Sequence, residues 1–201
     1  MDYHIEQLAK LFLKFPGIGS RQAKRFAQFI ASAPKSYVDA LAHSLVTTHA
    51  NVETCGQCFR IFEGDSALCG FCSDPTRDNK TIVVVEKSSD IESFLSTDYK
   101  GLFFVFGGLV PITSTAALQG VRMKILAERV KKDIETNTLN ELILAFPLTP
   151  NGDHTDTVVR EQLSAFNTTI TITSLGRGLS IGTELEYADP LSLNASLKKR
   201  E

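Results

Sequence analysis

The four cysteines constrain this 201-residue chain more than any other feature. They are confined to one short stretch and follow the spacing C-x2-C-x10-C-x2-C, as Cys55, Cys58, Cys69 and Cys72. Each C-x2-C turn can direct two thiolates at one point, and two such turns complete the tetrahedron that zinc prefers. Because protein ligands fill all four positions, the pattern predicts a structural zinc site. A module this short has little core of its own, so we expect it to fold around the metal.

Two other interpretations of the cysteines remain open at this point: a pair of disulfides, or two unrelated redox motifs. Disulfides are typical of secreted proteins. The first residues carry Asp2, Glu6, Lys10 and Lys14 and lack the apolar core of a secretory signal. The sequence therefore favours zinc and predicts a cytoplasmic protein.

Composition is that of an ordinary soluble domain, with 43% hydrophobic and 22% charged residues. Residues 101–121 carry no charge, but Gly107, Gly108 and Pro111 interrupt them, so they predict a buried strand and a loop, with no membrane contact. The formal net charge is −2, from 21 Lys and Arg against 23 Asp and Glu. This total says nothing about where the charges lie.

The N-terminal 35 residues are basic, with six Lys and Arg against Asp2 and Glu6, a net charge of +4. Apolar residues recur at helical spacing up to Phe15, Pro16–Gly19 then breaks the pattern, and Ser20 is a candidate N-cap for a second helix with one basic face. Gly17 and Gly19 would let backbone N–H groups approach a phosphate. The pattern predicts a helix, a glycine-rich hairpin and a second helix, which could contact a phosphate backbone without reading sequence; an ordinary solvated helix face is the alternative.

The second half of the chain alternates short β-rich runs with helical patterns, which predicts a mostly parallel α/β sheet. One helical pattern contains Leu118, Val121 and Ile125, and another contains Val159, Leu163 and Phe166. A glycine-rich stretch, 176–182, precedes the C-terminal tail. The expected strands are 82–85, 102–106, 142–146 and 169–173.

The order of these modules resembles the RecR family of bacterial recombination mediators over essentially the whole chain. The fold class that the resemblance implies is a multi-module α/β protein: helix-hairpin-helix, four-cysteine zinc finger, Toprim-type domain with a mostly parallel sheet, and C-terminal glycine-rich tail. The stretches that carry it are 15–27 (FPGIGSRQAKRFA), the cysteine module, 83–87 (VVVEK) and 176–189 (GRGLSIGTELEYAD).

The resemblance implies a non-enzymatic role in recombinational DNA repair, and with it a cytoplasmic protein that is associated with the nucleoid during repair. Such proteins form a ring-like homotetramer, a clamp or scaffold, and work with RecO and RecF to load recombinase on single-stranded DNA. It places DNA contacts at Arg21 and Arg25, and helical spacing adds Lys24 to them. The expected domains are 1–50 (helix-hairpin-helix), 51–76 (zinc finger), 80–175 (Toprim) and 176–201 (a Walker B-like segment with an oligomerisation tail).

The chain departs from the family in the loop that would complete an acidic Toprim site. Where the family carries Asn-Pro-Thr-x-Glu-Gly-Glu, residues 147–153 read PLTPNGD. Glu86 follows a predicted strand, where Toprim enzymes hold Mg²⁺ together with an Asp-x-Asp pair, but here the loop offers only Asp153 and Asp156, at a different spacing. Glu86 and Asp153 are thus a possible acidic site for Mg²⁺ that lacks a complete catalytic set.

Two alternatives to a mediator follow. A Toprim nuclease or topoisomerase-type enzyme would use Glu86 and Mg²⁺, and a structural zinc-ribbon adaptor would bind protein without DNA.

For the C-terminal tail, the sequence predicts packing against a neighbouring subunit through its apolar residues, namely Leu185, Tyr187, Leu191, Leu193 and Leu197.

Overall fold

The computed structural model describes residues 3–113, 120–176, 182, 184–188 and 190–198. Chain contacts divide it into two units, Met1–Val52 and Glu53–Glu201. In the described part of the chain, no helix is both long and apolar enough to span a bilayer.

Three helices form the N-terminal unit: α1 (Tyr3–Phe12), α2 (Ser20–Ser32) and α3 (Lys35–Asn51). Between α1 and α2 the buried residues are small alanines, which lets the two helices approach closely. The ring of Phe12 meets that of Phe26 edge to face at 5.7 Å. The predicted break between the helices is present, with Gly17 at φ +75°. The N-cap is Gly19 and not Ser20 as expected, because the helix already begins at the serine.

The cysteine module opens the second unit. It consists of a short hairpin, β1 (Val52–Thr54) and β2 (Ile61–Glu63), and a single helical turn, α4 (Gly70–Ser73). Its aromatic residues pack in two directions: Phe62 lies against the cysteines, Phe59 against the sheet that follows, and Phe71 against both. The module therefore shares a core with its neighbour, which the sequence had not indicated.

The sheet has four strands, β3 (Asp78–Val85), β4 (Gly101–Val105), β5 (Glu141–Ala145) and β6 (Thr171–Ser174). Their order is β4-β3-β5-β6 and every pairing is parallel. In register, Val83 lies between Phe103 and Ile143. The expected parallel sheet is confirmed; β6 begins two residues later than predicted because Thr169 and Ile170 still bond back to Phe166.

The helices cover the two faces of this sheet unequally. The face with Ile82 and Val84 packs against α6 (Met123–Glu135) and α7 (Pro150–Gln162). The face with Val83 and Val85 packs against the cysteine module and a short segment, the 3-10 turn Ser88–Ile91 and α5 (Glu92–Leu95). Helix α6 starts at Met123, later than its sequence pattern suggested, and Leu118 lies outside the described residues.

The predicted multi-module α/β fold is thus confirmed. Two further 3-10 turns, Ser164–Phe166 and Leu185–Tyr187, and α8 (Pro190–Lys198) complete the described elements. Of the predicted glycine-rich stretch, residues 177–181 lie outside the described part.

Candidate metal centre and nucleic-acid interface

The four cysteines form one cluster in the structure. Their sulfur atoms all lie within 4.8 Å of one another, and the Sγ atoms of Cys58 and Cys69 are 3.5 Å apart. None is in a disulfide, and all but the half-buried Cys72 are fully buried. Four sulfurs at about 2.3 Å from a central zinc would lie roughly 3.8 Å from one another. The cluster therefore fits a tetrahedral metal ion with little rearrangement.

Local hydrogen bonds shape the two turns that present these sulfurs. In the first turn, the N–H of Cys55 donates to the Arg60 carbonyl at 2.9 Å, and the N–H of Phe59 donates to the Cys55 carbonyl at 3.0 Å. In the second, the N–H of Cys72 donates to the Cys69 carbonyl at 3.0 Å. The N–H of Cys69 also points at the Cys55 sulfur, 3.4 Å away. Each C-x2-C segment thus folds back on itself, which aims both of its sulfurs to one side.

The pKa values of the cluster show how the thiols interact. Hydrogen bonding from the Cys72 thiol lowers the pKa of Cys58 to about 5, although burial opposes this. The same hydrogen bond raises the pKa of Cys72, and burial raises it further. The pKa of Cys69 is raised mainly by burial. The cluster therefore stabilises thiolate at Cys58 and resists further ionisation, a penalty that a divalent cation removes.

The basic residues predicted for DNA contact lie on α2. Arg21, Lys24 and Arg25 are all exposed. Among the ion pairs of the described residues none involves these three side chains. Gly17 and Gly19 are exposed directly before the helix, and a side chain at either would meet open space. The structure thus brings the hairpin glycines and the three cations together in one short stretch of the N-terminal unit.

The acidic residues lie at the carboxyl edge of the sheet. Glu86 follows β3 and is half-buried, whereas Asp153 is exposed on the first turn of α7, which follows β5. The chain leaves β3 toward β4 on one side and reaches β5 on the other, so a topological switch point lies between β3 and β5. Among the described His, Cys, Asp and Glu residues, only the cysteines form a group of three or more that could hold a metal ion.

The altered loop after β5 has a defined structure. Thr149 caps α7, its Oγ1 accepting from the N–H of Gly152 at 3.1 Å, and Pro150 occupies the first turn, where a missing N–H costs nothing. A Cβ on Gly152 would overlap the Pro147 carbonyl oxygen. Thr149 and Gly152 thus keep the positions they have in the family motif, while Asn151 stands where the motif has Glu.

Three residues that bind near the ends of the strands were missed in the sequence. Thr155 is the one buried polar residue among those described; its Oγ1 accepts from the N–H of Val110 at 2.8 Å and donates to the Asn151 carbonyl at 2.6 Å. Arg77 and Arg122 bind backbone carbonyls of β4. Nothing in the local sequence pattern predicts these contacts, although an arginine next to a buried strand is a weak indication that its guanidinium binds backbone carbonyls.

Comparison with known proteins agrees with these features. A family model described as "RecR, C-terminal" matches residues 178–201. Proteins named "Recombination protein RecR" match nearly the full length. That of Prochlorococcus marinus (strain AS9601) is 33% identical, covering 100% of this chain and 98% of its own. That of Finegoldia magna is 35% identical (98% and 96%), and that of Lactobacillus delbrueckii subsp. bulgaricus is 32% identical (98% and 96%).

Proposed function

The chain belongs to the RecR family of recombination proteins, and from that premise we propose that it is a DNA-binding recombination mediator. It works with RecO- and RecF-type proteins to load recombinase on single-stranded DNA, as a ring-like homotetramer. The observation that carries the proposal is the exposed basic face of α2, whose cations Arg21, Lys24 and Arg25 are available to phosphates.

The contacts to DNA are to its backbone and do not depend on sequence. Lysine and arginine side chains on a helix face, with glycines that expose backbone N–H groups, bind phosphate oxygens. Four copies in a ring would add their contacts, so a weak site in one chain becomes an effective one in the assembly.

A salt titration of DNA binding tests this proposal. We expect Arg21→Ala with Arg25→Ala to weaken binding and to flatten the dependence of log K on log salt, by roughly 0.9 for each lost duplex phosphate contact. The matched control is Lys131→Ala, which removes an exposed cation that is already paired with Glu135 at 3.9 Å. If the double variant keeps the slope of the control while remaining folded, this assignment of the DNA-binding face is wrong.

The four-cysteine cluster is proposed to hold structural zinc. Support comes from the sulfur geometry, the all-thiolate ligand set and the burial of three of the four residues. The ligands are Cys55, Cys58, Cys69 and Cys72.

The role of the acidic edge is proposed to be non-catalytic. Glu86 and Asp153 could contribute oxygen ligands to Mg²⁺, but two carboxylates without a third partner do not complete a phosphodiester-cleaving site. A nuclease assay with Mg²⁺ checks this, and cleavage that is lost in Glu86→Ala would instead support a Toprim enzyme.

The domain bounds given above, 1–50, 51–76, 80–175 and 176–201, remain part of the proposed function.

A further inference from the structure

The outward side of Val105, the last residue of strand β4, is covered by the cysteine module and by Arg122, the residue before α6. On its inner side β4 pairs with β3. On its outer side, the N–H of Val105 donates to the carbonyl of Cys58 at 2.8 Å, and the Val105 carbonyl accepts from Nη1 of Arg122 at 3.1 Å. One metal-site residue and one arginine therefore satisfy both outward groups of Val105, at the end of an edge strand that would otherwise be open.

Arg122 also contacts the cysteine module directly. Its guanidinium lies 4.9 Å from the centre of the Phe59 ring, and that ring packs edge to face on Phe104 at 5.5 Å. Phe59 follows Cys58 and has φ +62°, a left-handed backbone that a bulky residue adopts only when its surroundings hold it there. The contacts with Arg122 and Phe104 supply that restraint, so Arg122 helps to fix the turn that presents the Cys58 sulfur.

On its other side Arg122 shapes the turn that follows β4. Its N–H donates to the Phe106 carbonyl at 2.8 Å. Gly107, at φ +95°, leaves the space that the guanidinium occupies, because a Cβ there would overlap Nη1. The N–H of Gly107 donates to the carbonyl of Glu86 at 2.8 Å. The same arginine therefore contacts both the metal-site turn and the turn bonded to the acidic edge.

We propose that Arg122 is a positioning residue that couples the metal site to the carboxyl edge of the sheet. With zinc held by the cysteines, the turn of Cys58 and Phe59 would be fixed, and through Val105 and Arg122 this turn would keep the N–H of Gly107 on the Glu86 carbonyl. The inference rests on the proposed zinc site. Coupling of this kind is reciprocal. If zinc binding stabilises the contact between Gly107 and Glu86, that contact in turn strengthens zinc binding.

The first measurement is zinc transfer from the full-length protein to a chromophoric chelator. Zinc content is determined beforehand for every protein. We expect Arg122→Ala to weaken zinc binding by about tenfold, within the range typical of coupled sites, and to speed the transfer accordingly. We expect Arg122→Lys to fall between this variant and the natural chain, since lysine can reach the Val105 carbonyl but cannot stack its charge over Phe59 as a planar guanidinium does. The control is Lys124→Ala, an exposed residue two positions along.

The second measurement separates coupling from general destabilisation. Removal of zinc from the natural chain should raise amide hydrogen exchange at Gly107 severalfold more than at amides in the middle of β3, and Arg122→Ala should do the same with zinc still bound. A chain that binds no zinc overturns both the zinc assignment and this inference. A zinc-loaded Arg122→Ala protein that matches Lys124→Ala in transfer rate and in exchange at Gly107 overturns this inference alone.

Discussion

At the scale of single residues, the cysteine cluster is defined by its thiol chemistry. Three of its sulfurs are buried, and a buried group of thiols cannot ionise freely without a cation. The opposite shifts in the pKa values of Cys58 and Cys72 express this competition, because one thiolate is stabilised at the expense of the next.

Replacement of a single ligand tests the metal assignment. Cys58→Ser keeps the size of the side chain but replaces a thiol with a hydroxyl that does not ionise at neutral pH. We expect loss of bound zinc, measured by metal analysis, together with a lower melting temperature, because zinc binding and folding of the module are linked. Asp65→Asn, an exposed change in the same module, should keep its zinc. Full zinc content in Cys58→Ser would show that this residue is not a ligand.

The pH dependence of zinc binding follows from the same shifts. Since the pKa values of Cys69 and Cys72 are raised, the metal-free cluster holds protons at neutral pH that zinc must displace. Zinc uptake should therefore release protons, and zinc affinity should fall as pH is lowered. Chelator competition at several pH values, with proton release followed in weak buffer, measures both. An affinity that does not change between mildly acid and mildly basic pH would contradict this account.

At the scale of elements, the sheet is held to its surroundings by a few side chains that join separate segments of the chain. Arg77 donates to the Gly101 carbonyl at 2.8 and 3.0 Å and thereby covers the start of the edge strand β4. Thr155 ties the loop after β4 to the first turn of α7. On the other edge strand, β6, Arg160 donates to the Ile172 carbonyl at 2.6 Å. Side chains thus cover part of both edge strands, β4 and β6, which opposes pairing with a further strand.

Thr155→Val tests this tie between loops. The substitution keeps the shape of the side chain but leaves the N–H of Val110 buried without its acceptor, which costs about 1–3 kcal/mol. Urea unfolding should show a reduced free energy of unfolding of that order. Thr157→Val on the exposed face of the same helix should change it by less than about 0.5 kcal/mol. Equal changes in the free energy of unfolding of the two variants would mean that the buried hydrogen bonds of Thr155 do not stabilise the fold more than those of an exposed threonine.

At the scale of the whole molecule, the two ends of the chain expose apolar side chains. Phe29 and Tyr37 are 56% and 46% exposed in the N-terminal unit, and Tyr187 and Leu197 are 75% and 56% exposed in the tail. In the proposed homotetramer such side chains would be buried between chains.

Deletion of residues 183–201 tests the role of the tail in assembly. Because its apolar side chains are proposed to pack on a neighbouring subunit, we expect the truncated chain to lose the tetramer. Light scattering gives the mass directly, and circular dichroism shows whether the sheet remains folded. A tetramer that survives the deletion would rule out packing of the tail on a neighbouring subunit as the basis of assembly.

The sequence by itself determined the features that depend on local spacing. Two C-x2-C turns predicted the cysteine cluster, two glycines and a basic helical face predicted the N-terminal hairpin, and strands alternating with helices predicted a parallel sheet. These features can be predicted from sequence because the interacting groups are a few residues apart and local backbone geometry sets their positions.

Only the tertiary structure decided how the parts are joined. Thr155 meets Val110 across 45 residues of sequence, and Arg122 meets Phe59 and Val105 from a third element. Neither residue stands out locally, since a threonine in a helix and an arginine just before one are ordinarily exposed. Such contacts form only when the sheet brings distant loops together, and burial then makes one hydroxyl or one guanidinium necessary to satisfy backbone groups that water can no longer reach.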